Sequence, residues 1–150
     1  MKKIVIKSVE KPLESKSPEA LISWFCEALG LSGTGELDSI ESGILEKFLM
    51  AASKNTGISS SKIKLGKNVP RSTVIYHLNR LIESGLIVKR GRKYYMRAQT
   101  LSTSIEEIEY DIDREFQRMI DMAKEFDRLF ERRYIGNRRM LKDGKEIKID

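Results

Sequence analysis

Pro70-Arg71-Ser72-Thr73-Val74-Ile75-Tyr76-His77-Leu78-Asn79-Arg80-Leu81-Ile82-Glu83-Ser84-Gly85-Leu86-Ile87-Val88-Lys89-Arg90 places a helix, its stop signal and the strand beyond it in one run. Val74, Leu78, Leu81 and Ile82 fall at i, i+4, i+7 and i+8, which gathers them on one side of a helix. Ser72, Thr73, Tyr76, Arg80 and Glu83 then lie on the opposite side. The spacing predicts a helix from Pro70 to Ser84, closed by Gly85 as its C-terminal cap. Leu86 to Arg90 and Lys93 to Arg97 read as two strands about a tight turn at Gly91-Arg92.

Upstream, three helices are expected. Ser17 suits an N-cap with Pro18 at the first helical position and Gly30 just past the end. This first helix carries Trp24, Phe25 and Cys26 among apolar neighbours around most of its circumference, so it must be buried on more than one side. A Gly/Ser stretch from Ser32 to Gly35 separates it from a second helix, Ser39 to Ser53, whose stripe runs Ile40, Ile44, Leu45, Phe48, Leu49 and Ala52. Asn55-Thr56-Gly57 ends that helix, and a short one from about Ser59 to Lys67 should follow. The expected fold class is mainly α with a small β-hairpin and a long C-terminal helix. Its segments are an extended start (1–16), a helical and hairpin domain (17–100), the long helix (101–134) and a basic tail (135–150) that either frays or pairs with the N-terminal strand.

Charge is concentrated in one part of the chain. The net charge is +6, yet residues 56–100 alone hold ten Lys/Arg against one acid. Such a segment, flanked by neutral and acidic ones, is the footprint of a surface that neutralises phosphates. The hydroxyls, the Arg80 guanidinium and the Tyr76 phenol on the polar side of the Pro70 helix can exchange hydrogen bonds with base edges. Arg71 at its N-terminal end can reach a phosphate. Lys89, Arg90, Arg92 and Lys93 surround the hairpin turn, where a strand pair can lie along a phosphate backbone or enter the minor groove.

The run from Pro70 to Arg90 resembles the recognition helix and first wing strand of ArsR-like winged-helix regulators, particularly archaeal ones. Those proteins have a similar succession of Ser/Thr-Val, His-Leu, a second Leu and Gly-Leu-Ile/Val. The resemblance covers Ile58 to about Met96 and implies a winged helix-turn-helix. By it, Arg71, Ser72, Thr73, Tyr76, His77 and Arg80 would face DNA, and Arg90, Arg92 and Lys93 would form the wing. Lys67-Asn68 stand where the family has Leu-Gly, with Leu65-Gly66 two residues earlier. Asn68 suits the left-handed turn residue.

His77, the only histidine, borders both faces of its helix, so core packing and a phosphate contact both stay open. Alone, and with Cys26 the only cysteine, it builds no metal site, and the cysteine pair by which some ArsR-type proteins sense metals is absent. No Gly-rich phosphate loop or nucleophile and base grouping appears, so no enzyme activity and no cofactor are expected. With no eighteen-residue apolar run and no signal peptide, the chain is expected in the cytoplasm.

From Leu101 the helical pattern carries Ile105, Ile108, Ile112, Phe116, Met119, Ala123, Phe126 and Phe130 in a heptad seam with one stutter. A chain of this size cannot easily cover that stripe, so a second copy is expected on it, with Trp24 and Phe25 of the first helix joining the interface. The sequence therefore predicts a homodimeric transcription regulator that binds double-stranded DNA. A winged-helix module for protein interaction, which reads no sequence, is the alternative. Single-strand or RNA binding is disfavoured by the few aromatic platforms available.

Overall fold

A computed structural model describes residues 3–11, 17–31, 37–65 and 69–135. The chain divides into two compact units, Met1–Ile108 and Glu109–Asp150. The first holds α1 (Pro18–Ala28), α2 (Leu37–Ser53), a two-residue strand β1 (Ile58–Ser59), one 3-10 turn (Ser60–Lys62), α3 (Arg71–Ser84), β2 (Ile87–Arg90) and β3 (Lys93–Met96). It also holds the start of α4 (Leu101–Phe130), a helix about 45 Å long at its usual rise, continued by a π-type turn, Glu131–Ile135.

Local chemistry sets these ends. The Ser17 hydroxyl accepts from the Ala20 N–H at 3.4 Å, and Pro18 occupies the first turn of α1. Pro70, in extended conformation, precedes α3, and Gly85 closes it in the left-handed region at φ +90°. Thr100 supplies a hydroxyl that accepts from the Thr103 N–H ahead of α4, and the buried Ser104 hydroxyl takes the Ala98 N–H.

The sheet is antiparallel in the order β1-β3-β2. Ile87 faces Met96 and Arg90 faces Lys93 across the hairpin, while Ile58 pairs with Tyr94 on the other side of β3. The core lies between this sheet and the helices: Ile22 and Cys26 of α1, Ile44, Leu45 and Phe48 of α2, Val74, Leu78 and Leu81 of α3, with Leu86, Ile87 and Met96. Gly57 approaches the Tyr95 ring so closely that a Cβ there would sit 2.5 Å from ring carbons.

Three sequence expectations are corrected. The helix expected from Ser59 to Lys67 is replaced by β1, the 3-10 turn and an extended Ile63, because the Ile58 and Ser59 backbone pairs with β3. Residues 3–11 form no strand. They lie beside α1 instead, the Lys7 N–H donating to the Ala28 carbonyl at 2.6 Å and the Trp24 indole N–H to the Glu10 carbonyl at 2.9 Å. Ile108 is only 3% exposed and its side chain packs on Gly85, so it belongs to the core of its own chain and not to an intermolecular seam. Gly66, Lys67, Asn68, the Ser32–Gly35 break and the tail beyond 135 lie outside the described residues.

Candidate functional site

The outward side of α3 is built from Ser72, Tyr76, Asn79 and Glu83, all exposed and spaced i, i+4, i+7 and i+11. Thr73 is half-buried at the margin of that row. Opposite it, Val74, Leu78 and Leu81 are buried as their spacing requires.

At the N-terminal end of α3, Arg71 donates from Nη2 to the Ser60 hydroxyl at 2.6 Å. Ser59 and Ser61 share a hydrogen bond at 3.2 Å beside it. These serines, Arg71, Lys89, Gly91, Arg92 and Tyr94 line an open cleft of about 360 Å³ with no carboxylate in its wall. Three elements that are distant in sequence thus direct hydroxyls and cations into one concavity. The hairpin cations are braced by aromatic rings: Lys89 Nζ lies 5.5 Å from the centroid of the buried Tyr94, and the Arg90 guanidinium 5.8 Å from that of Tyr95. Arg92 and Lys93 are exposed about Gly91, whose φ of +64° makes the turn.

Two residues expected on this surface are elsewhere. His77 is buried, its Nδ1 2.9 Å from Oε1 of Glu41, a fully buried carboxylate on α2. Arg80 reaches the same Oε1 from Nη1 at 3.0 Å and donates from Nη2 to the Gly30 carbonyl at 2.7 Å. The reason is geometric. Both project from one flank of α3, between the outward row and the core stripe, and a carboxylate buried on the neighbouring helix draws them in. They fix α3 against α2 and the end of α1, and the exposed row does not include them.

Asn79, absent from the sequence expectations, belongs to that row. Its i+7 spacing from Ser72 was the available signal, and a primary amide pairs bidentately with adenine. Ser59, Ser60 and Ser61 also enter the site, because the segment whose spacing reads as a helix folds instead as β1 and a 3-10 turn.

Of the residues expected in an intermolecular seam, Ile105 and Ile112 are half-buried, whereas Phe116, Met119, Ala123, Phe126 and Phe130 are exposed. Trp24 and Phe25 are half-buried and meet edge to face at 5.0 Å. On the charged side of α4, the Glu125 carboxyl is held below its usual range, chiefly by the hydrogen bond from Arg128.

No described helix is long and apolar enough to cross a membrane, and no described group of three or more His, Cys, Asp or Glu side chains is placed to hold a metal ion. Compared with protein-family models, curated proteins and solved structures, the chain matches none.

Proposed function

We propose that this chain is a winged helix-turn-helix regulator of ArsR-like type, which binds double-stranded DNA as a homodimer paired through α4. In this reading α3 enters the major groove with Ser72, Tyr76 and Asn79 toward the base edges. The hairpin is the wing, its Arg90, Arg92 and Lys93 lying on the backbone or in the minor groove. Arg71, Lys89 and Arg92 receive phosphates in the cleft beside the three serines.

The observation that carries the reading is that cleft: cations from α3 and the hairpin converge next to an exposed polar helix face, and no acid lines it. Phosphate contacts position a protein on a duplex and base contacts specify the sequence, so the two halves of the site have separable roles. Selection of bound fragments from a random duplex pool tests it directly. An enriched inverted repeat is expected. The absence of any duplex affinity at low salt would overturn DNA binding in favour of a protein-interaction module.

A further inference from the structure

The apolar face of α4 is wider than a two-stranded seam requires. Phe116, Met119, Ala123, Phe126 and Phe130 form the seam, alternating steps of three and four. Ile120 lies on one flank at 41% exposure, and Met122 and Leu129 lie on the other at 68% and 48%. At about 100° per residue, these flanks bound an arc of roughly 180° that is apolar from Phe116 to Phe130 except at Asp127. In a two-stranded coiled coil the flanking positions carry charges, whereas apolar flanks belong to helices that face more than one neighbour. Aromatic rings continue along the arc, Phe126 stacking on Phe130 at 5.7 Å and Phe130 against Tyr134 at 4.8 Å.

Charge along the same helix selects the neighbour and its direction. Residues 109–121 carry five acids against two bases, and residues 122–133 carry three acids against four bases. An antiparallel copy sets each half against the opposite sign, and a parallel one sets acid against acid. We infer that the 112–134 face is completed by the same segment of three further copies. The four helices form a bundle with antiparallel neighbours, so the protein is a tetramer, a pair of the dimers proposed above.

The inference rests on that dimer reading and its test contains no DNA, so the two fail separately. Sedimentation equilibrium of the full chain should give four chain masses. The double variant Met122→Glu, Leu129→Glu, confined to exposed flanks, should fall to two chain masses with its far-UV helical signal unchanged. Wild type at two chain masses overturns the tetramer and keeps the dimer; wild type at one overturns both. Flank variants that stay tetrameric also overturn it.

A spin label at Asp113→Cys checks direction, Cys26 being buried. A bundle with antiparallel neighbours has parallel diagonals. Two label separations are then expected, one of roughly 15–20 Å across the diagonal and one of roughly 30 Å or more between neighbours. A single separation of either kind overturns the arrangement.

Discussion

The imidazole of His77 and the carboxylate of Glu41 meet at 2.9 Å in the interior, with the Arg80 guanidinium 3.0 Å from the same oxygen. One acid on α2 thereby receives two basic groups from successive turns of α3. Removing the buried carboxylate leaves His77 and Arg80 without their shared hydrogen-bond acceptor, at a cost of about 1–3 kcal/mol. Glu41→Ala should lose about that much in urea unfolding, and Glu41→Gln, which keeps a hydrogen-bond acceptor for His77, distinctly less. Equal stability of wild type and Glu41→Ala would contradict the arrangement.

Arg80→Ala separates positioning from reading. Because its guanidinium is held by Glu41 and the Gly30 carbonyl, its loss should lower stability and weaken specific and non-specific duplexes by similar factors. Competitive binding to both duplexes checks this. A selective loss at the preferred site would mean that Arg80 leaves its anchor to contact a base.

The exposed row of α3 should behave in the opposite way. Asn79→Ala is expected to cost on the order of 1–3 kcal/mol at the preferred duplex and much less on unrelated DNA, with the folded stability almost unchanged. Tyr76→Phe should show the same selectivity to a smaller degree. The same competition assay, run beside thermal unfolding, distinguishes these outcomes.

For the cleft, Arg71→Ala and Arg92→Ala should each weaken all duplexes alike and reduce the slope of log affinity against log salt by about 1. Unchanged salt slopes in both variants would remove phosphate from the cleft.

Gly85 tests the join between α3 and α4. Its φ of +90° disfavours any side chain, and a Cβ there would stand 3.3 Å from Cγ1 of Ile108. Gly85→Ala should destabilise by about 1–2 kcal/mol from backbone strain alone, read as a lowered midpoint in thermal unfolding.

Short-range rules made most of the helices legible. Ser17-Pro18 and Gly30 bracket α1, and Gly85 closes α3, because caps depend on a few adjacent residues. The Val74, Leu78 and Leu81 stripe was legible from spacing alone. What escaped depends on partners far along the chain. β1 exists because Ile58 and Ser59 find β3 some thirty-five residues later, and nothing in their own vicinity announces a strand. His77 and Arg80 are drawn inward by Glu41, whose place in the middle of the α2 stripe, three, four and seven residues before Ile44, Leu45 and Phe48, marks a buried acid but not its partners more than thirty residues on. Ile108 continued a seam by its spacing, but the absence of a side chain at Gly85 made room for it inside. The cleft combines three segments, so its cations were visible singly and its serines were not.

The order β1-β3-β2 leaves the outer side of β2 without a strand partner among the described residues, and that side belongs to the strand carrying Lys89 and Arg90. Bare strand edges recruit other edges, and fixed positive charge on them makes two like edges repel. The hairpin cations therefore guard against self-association in addition to any ligand they hold. Alanine at Lys89 or Arg90 weakens that guard, so the solubility of such variants should fall at low ionic strength, where repulsion between unaltered copies reaches farthest.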